Sequence, residues 1–202
     1  MSPATELLRL SDSLSLWQAY DPTVKADLFS SAIQAAAGVF LVDPIPLTQS
    51  CLEELRTPMG FAAVLVTNGN HRRAATELAC QLGVPIFAAD SVVAEFAAAN
   101  AKSINDGGEI LPGVAAITIA GAASGETAFH FAENGGTVVL GDALINVEPY
   151  GFALLPAKYC SDQKQMRRSL RRLLDWPFER LLFAHGTPIL VSARERLERL
   201  LS

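Results

Sequence analysis

Histidine is scarce in this chain, and the three that occur, His71, His130 and His185, differ sharply in their surroundings. His185 follows the apolar stretch Leu181–Ala184 and precedes Gly186-Thr187-Pro188, while Asp142 follows Thr137–Leu140 and Gly141. A carboxylate and an imidazole at strand ends are ligands for a divalent cation, and a cation-bound hydroxide attacks esters, thioesters and amides. His71 lies within Thr67-Asn68-Gly69-Asn70-His71-Arg72-Arg73, after the apolar run from Ala62, and a small shift of that loop would turn its ring inward as a third ligand. Asn68 and Asn70 can ligate weakly through amide oxygens, but they are equally good turn and helix N-cap residues. Arg72 and Arg73 would then fall in the first helical turn, where the helix dipole disfavours a cation and a nearby carboxylate would offset the cost. His130, between Phe129 and Phe131 on an apparent strand, is expected to meet solvent or a neighbouring carbonyl. Cys160 has no histidine at a placeable distance to act as its base and is read as a core residue.

The elements that must position these residues follow from periodicity. Strands are expected at Glu6–Leu10, Ser13–Tyr20, Leu28–Gln34 and Val39–Val42, with turn-formers at Asp21-Pro22 and near Gly38. A helical period runs from Leu47 through Leu55 until Pro58 and Gly60 break it, and the strand Ala62–Thr67 comes next. A helix from about His71 to Leu82 ends at Gly83-Val84-Pro85, then come the strand Ile86–Ala89 and a short helix near Val92–Ala99. Strands resume at Ala115–Ala120, Thr127–Phe131 and Thr137–Leu140, the last two joined through Glu133-Asn134-Gly135-Gly136 as a hairpin. A long helix from about Asp162 to Trp176 carries Met166, Leu170, Leu173 and Leu174 on one stripe and Arg167, Arg168, Arg171 and Arg172 around the other. A solvated basic face with local acidic partners is expected there. The strand Leu181–Ala184 and a helix Ala193–Leu200 close the chain.

Composition narrows the classes. The chain has 202 residues, half of them hydrophobic, with 21 acidic and 16 basic residues giving a net charge of −5. One domain spanning 1–202 is the expectation, and nothing electrostatic points to nucleic acid. Cys51, Cys80 and Cys160 are few, far apart and form no CxxC pair, which suits small core residues in a reducing cytoplasm. The first twenty residues carry Glu6, Arg9 and Asp12 and lack the unbroken apolar stretch of a signal peptide. The stretch Leu28–Val42 is interrupted by Ser30, Ser31 and Gln34 and is shorter than the roughly 20 residues of a membrane span, so no membrane partner is expected.

Asp43-Pro44, Thr67 to Arg73, Gly121-Ala122-Ala123-Ser124-Gly125-Glu126, Gly141-Asp142 and His185-Gly186 occur in an order and spacing that resembles the metallo-β-lactamase superfamily. The resemblance covers most of the chain from Val42 to Ile189. It implies an α/β fold, an αββα sandwich of two mixed β-sheets flanked by helices, with the landmarks gathered at one edge. In that family the segment after the central strand reads Thr-His-x-His-x-Asp-His and serves one or two zinc ions. Here the two histidines of the first metal site fall on Asn68 and Asn70, the aspartate and histidine of the second on Arg72 and Arg73, and the later histidine on Ala122. Asp142, as the bridging carboxylate, and His185 keep their types.

Neutral amides, a methyl group and two guanidinium groups are poor replacements for zinc ligands. The resemblance therefore implies a largely lost metal site and a non-catalytic or binding role, with a small-molecule ligand of unknown identity. The alternative is a divergent hydrolase of an ester, thioester or amide using a single, weakly held divalent metal, most naturally zinc, on Asp142 and His185 with His71 or water completing the shell. Asp142 and His185 are the residues to carry catalysis, and Asn68, Asn70, Arg72 and Arg73 those to line a binding site. Arg72 or Arg73 is expected to take over the metal's electrostatic role by bonding Asp142. A homodimer is compatible with such a chain.

Overall fold

The computed structural model describes residues 2–23, 25–96 and 100–202. Four antiparallel strands, β1 (Leu8–Ser11), β2 (Leu14–Asp21), β3 (Ala26–Ala35) and β4 (Gly38–Val42), start the chain. Helix α1 (Gln49–Leu55) crosses to β5 (Phe61–Leu65), which runs parallel to β4. Helix α2 (Ala75–Leu82), β6 (Ile86–Ala88), α3 (Asp90–Val93) and β7 (Ala101–Ser103) complete a seven-stranded mixed sheet in chain order. The second sheet is built from β8 (Glu109–Leu111), β9 (Val114–Thr118), β10 (Thr127–Phe131) and β11 (Thr137–Leu140), with β14 (Arg180–Phe183) added parallel to β11. Between β11 and β14 lie a separate two-stranded ribbon, β12 (Leu144–Val147) and β13 (Gly151–Leu154), and helix α4 (Gln163–Arg171). Helix α5 (Ala193–Leu201) follows β14.

Three apolar layers hold this together. Leu14, Ile33, Phe40, Leu65, Phe129, Phe131 and Leu182 pack between the sheets. Leu41, Val64, Ile86 and the apolar faces of α1 and α2 fill the space behind the first sheet, while Ile117, Val138, Leu181 and the apolar sides of α4 and α5 fill that behind the second. Helices outside and sheets inside make the expected αββα order. The central strands β4, β5 and β11 are buried on both faces, which is why they read as continuous apolar runs without alternation.

Several expected elements are cut differently. The helix expected from His71 begins instead as a 3₁₀ turn, Gly69–His71, and only becomes α-helical at Ala75, because Arg73 takes a left-handed backbone (φ 37°). At its far end Gly83 adopts φ 68° and donates its N–H to the last carbonyls, a conformation glycine takes without a Cβ penalty. The helix expected near Val92–Ala99 is regular only to Val93; Ala97 to Ala99 lie outside the described residues. The long helix tightens to a 3₁₀ turn at Arg172–Asp175. The short strands β7, β8, β12 and β13 carry too few alternating positions to be read as strands.

Of the four arginines on the basic face, Arg168 is exposed and the other three have partners. Arg167 and Arg171 donate to the C-terminal carbonyls Ser202 O and Leu201 O, and Arg172 forks onto both oxygens of Asp106 at 3.0 Å. Of the cysteines, all free thiols, Cys51 is buried and Cys160 lies near Met166. Cys80 faces solvent, correcting its reading as a core residue: it falls on the outer side of α2, opposite Leu78 and Ala79. Among the described residues no helix is long and apolar enough to cross a membrane.

Candidate functional site

The site forms where two parallel strand pairs end. β4 and β5 run parallel in one sheet and deliver Asp43 and Thr67 just past their last residues; β11 and β14 run parallel in the other and deliver Asp142 and His185. The sheets are bonded to each other at this edge: Thr127 N–H donates to Thr67 O at 2.8 Å, and Phe29 N–H to Ala184 O at 2.9 Å. Crevices beyond the carboxyl ends of parallel strands are where side chains from separate strands converge.

Asp43 is the innermost acid. Its Oδ1 accepts from Thr67 N–H at 2.8 Å and its Oδ2 from the Thr67 hydroxyl at 2.5 Å. That hydroxyl has one proton, now spent, so the oxygen receives the Nδ1–H of His71 at 2.8 Å. His71 Nδ1 is also 3.2 Å from Asp43 Oδ2. The ring is held at 3% exposure with Nε2 toward the cleft, 3.2 Å from Asp142 Oδ1. With Nδ1 carrying a proton, Nε2 of a neutral ring is a bare lone pair facing a carboxylate lone pair. A positive centre must lie between them: either a second proton, making His71 an imidazolium, or a metal ion. Burial works against charging the ring, but Asp43 and Asp142 outweigh it and raise its pKa to about 9.

Asp142 is surrounded by donors. Its Oδ2 accepts from Asn68 Nδ2 at 3.1 Å and Asn70 Nδ2 at 3.2 Å, and Oδ1 faces His71 and, at 3.5 Å, His185 Nε2. Burial opposes its charge, yet His71, His185 and Asn70 hold its carboxyl below the usual range. His185 is partly open to the cleft, its side chain 22% exposed, and its Nδ1 lies 3.4 Å from Asp27 O. Burial and the charge of His71 lower its pKa, so it is neutral near pH 7. Beneath Asn68 sits a second buried acid. Glu126 Oε2 accepts from Asn68 Nδ2 at 2.6 Å and Oε1 from Ala143 N–H at 3.1 Å. Burial, reinforced by the charge of Asp142, pushes its pKa up to about 7.

The arginine expectation is overturned. Arg72 reaches away to Glu95 at 3.1 Å and to Gly69 O, half exposed. Arg73 donates to Phe29 O at 2.5 Å and Asp43 O at 2.8 Å, with Ala184 O at 3.5 Å. Neither bonds Asp142. The left-handed turn at Arg73 takes the chain off the helical path, so its guanidinium staples backbone carbonyls while His71 faces the acid. Asn68 caps the 3₁₀ turn, its Oδ1 accepting from Asn70 N–H at 2.9 Å, and its amide NH₂ serves two carboxylates at once. Ala122 is buried among apolar residues and offers no donor. His130 meets a carbonyl rather than solvent: Nε2 lies 2.7 Å from Pro177 O, far from the cleft.

Asp43 and Glu126 enter the sequence reading as landmarks and have no assigned role there. The signal that marks Asp43 is an acid at the end of the wholly apolar strand β4, where a buried charge needs a partner; Glu126, ahead of β10, carries no such signal. Gly141 shows how tightly these groups pack: a Cβ there would stand 2.5 Å from Thr67 Oγ1, 2.8 Å from Asn68 Nδ2 and 3.0 Å from Glu126 Oε2. Gly141→Ala is expected to cost about 1–3 kcal/mol in urea unfolding, as overpacking does; a neutral substitution would show the network to be loose.

Above this floor lies a cleft of about 1280 Å³ lined by His71, Asp142, His185, Asn70 and Arg73, with largely apolar walls. Nε2 of both histidines and an oxygen of Asp142 fall within 4.8 Å of one another. Ligand atoms sharing a tetrahedral ion at 2.0–2.1 Å stand about 3.3 Å apart, and the two distances to Asp142 Oδ1, 3.2 and 3.5 Å, bracket that spacing. Arg72 and Arg73 carry guanidinium groups and Ala122 a methyl group, none of which ligates a cation.

Comparison with solved structures gives matching folds at low identity. The DIM-1 metallo-β-lactamase aligns with a TM-score of 0.75 at 11% identity, covering 98% of this chain and 97% of that one. A metallo-β-lactamase from Pontibacter korlensis gives 0.72 at 13%, covering 97% and 98%. A metallo-β-lactamase family protein from Thermus thermophilus gives 0.66 at 21%, covering 96% of this chain and 79% of that one. A search of curated proteins finds no match. Residues 8–202 match the sequence family described as the metallo-β-lactamase superfamily, and the chain belongs to that superfamily.

Proposed function

We propose that the protein is a non-catalytic, small-molecule-binding member of its superfamily, whose cleft has exchanged the two-metal centre for a network built from its own side chains. The observation that carries this is the placement of His71. Its ring bridges Asp43 and Asp142, supplying from within the chain the positive charge that Asp142 requires. Five of the seven ligand positions of the family pattern hold Asn68, Asn70, Arg72, Arg73 and Ala122. Asp142 draws four side-chain donors or cations from the chain itself, which offset its buried charge. A protonated His71 also competes with a metal, since a ring with a pKa of about 9 must give up its proton before its lone pair can ligate.

One observation favours a second reading, a single-cation site. The distances from His71 and His185 to Asp142 suit ligands sharing a tetrahedral ion, and the bond from His71 Nδ1–H to Thr67 beside Asp43 is the kind of outer support that orients a ligating imidazole. A bound ion would act as a Lewis acid and generate hydroxide from water near pH 7.

Elemental analysis of protein purified without metal resin or chelator separates the readings. Less than a few tenths of an equivalent of zinc, with weak uptake that strengthens as pH rises toward 9, is expected. About one tightly held equivalent after dialysis would favour the second reading, and about two would overturn both.

A further inference from the structure

The geometry points to a ligand class for the cleft: an uncharged amphipathic small molecule, with an apolar body against the β12–β13 ribbon and a hydrogen-bonding head at the floor. This deepens the binding role proposed above and rests on it. The ribbon belongs to neither large sheet; Leu144, Phe152 and Leu154 pack against the core behind the second sheet, while Ile145 and Val147, only partly buried, are left to the cleft. Ile145 and Val147 line the cleft from β12, Tyr150 from the ribbon's tip, and Leu155 just beyond β13; Leu28 and Pro46 line it from the first sheet's side. Tyr150 and Tyr159, at 74% and 61% exposure, are the most exposed of the large apolar residues lining the cleft. Exposed aromatic and aliphatic groups concentrated on one concave surface mark a binding site rather than scattered surface residues.

A two-stranded ribbon is marginal alone, and this one is fastened at its root beside the site. Asn146 Nδ2 donates to Thr187 O at 2.7 Å and to Thr187 Oγ1 at 3.1 Å, and Thr187 N–H returns a bond to Asn146 O at 3.0 Å. The apolar wall is thereby held at a fixed distance from His185, two residues before Thr187. A ligand that lies along the wall places its end on the floor.

The floor and walls decide the head group. Asp21, Glu77 and Asp142 stand against Arg73 and Lys158 among the lining residues, so both signs of charge are present and neither forms a one-sign patch. Asp142 already has its donors, and Arg73 is engaged with carbonyls. What remains accessible are the edge of His185 and the carbonyl of the Asn70 amide. These exchange neutral hydrogen bonds, as an amide or hydroxyl head would require. At the floor a charged head would lose its hydration without gaining a free counter-ion, since Asp142 and Arg73 are already engaged there.

The test uses the intact protein treated with chelator and three probes of equal chain length: octanamide, octanoate and octyltrimethylammonium, titrated by calorimetry. Octanamide is expected to bind at least about tenfold more tightly than either charged probe, and Tyr150→Ser combined with Val147→Ser to weaken it by a further factor of about ten, as lost apolar contact does. Tyr150→Ser alone, at an exposed tip, keeps the test valid should the double variant fold poorly, with a smaller loss expected. Tighter binding of a charged probe, absence of octanamide binding, or binding indifferent to Tyr150→Ser would overturn the ligand class. Octanamide binding that appears only after zinc is added would uphold the class and overturn the metal-free reading.

Discussion

Replacing His71 with alanine is expected to destabilise the protein by about 3–5 kcal/mol, the usual cost of removing one member of a buried charged pair. The substitution leaves two acids without their shared cation. Asp43, at 2% exposure, keeps Thr67; Asp142 keeps the amides of Asn68 and Asn70 and the weaker approach of His185. Neither retains a positive charge in contact comparable to the imidazolium. The loss of ring volume alone would cost less, so a partner variant separates the causes. In His71→Ala combined with Asp142→Asn the electrostatic part of the loss should be recovered, because a neutral amide needs no cation. Urea unfolding monitored by tryptophan fluorescence gives both numbers. A loss below about 1 kcal/mol for His71→Ala, or no recovery in the double variant, would mean that the ring is a packing group and that Asp142 is held by the two asparagines.

The second large effect is a fall in stability as pH rises, opposite to the behaviour of a protein stabilised by ionised carboxylates. The sign follows group by group. Asp142 has a depressed pKa, so its contribution is present above the ordinary carboxylate range and lost in acid. Glu126 is raised from 4.5 to about 7, so between those values the folded protein holds a proton that the unfolded chain has lost, and stability falls as pH rises through that window. His71, raised from 6.5 to about 9, contributes fully below 6.5 and is lost as pH passes 9. That last part amounts to about 3 kcal/mol. Chelator-treated protein should be most stable near pH 5 and lose several kcal/mol by pH 9 in denaturant midpoint measurements. Glu126→Gln should flatten the limb between pH 5 and 7 and leave that above 7 intact. Stability that is level or rising from pH 6.5 to 9 would show that His71 is neutral in the folded protein, and the positive centre between Nε2 and Asp142 would then have to be an ion.

Order and type of the main elements were legible in the chain because they depend on short-range pattern. The apolar runs of β4, β5 and β11 read as buried strands, and the stripe of Met166, Leu170 and Leu173 as a helix against a sheet. The landmarks fell at strand ends, and parallel pairing brought Asp142 and His185 to one edge. The partner of Asp142 was not legible. Arg72, Arg73 and His71 are adjacent in sequence, and which one faces the acid depends on a single backbone choice, the left-handed turn at Arg73, that no residue preference announces. Likewise, Asn68 donating to both Glu126 and Asp142 joins residues 58 and 74 positions apart, a contact that exists only once two sheets have packed. Sequence determined which chemical groups were available at the strand ends. Tertiary structure decided that a histidine rather than an arginine faces Asp142, because the two flanking carboxylates outweigh burial in favouring an imidazolium there and the helix path needed to bring an arginine to Asp142 was never formed.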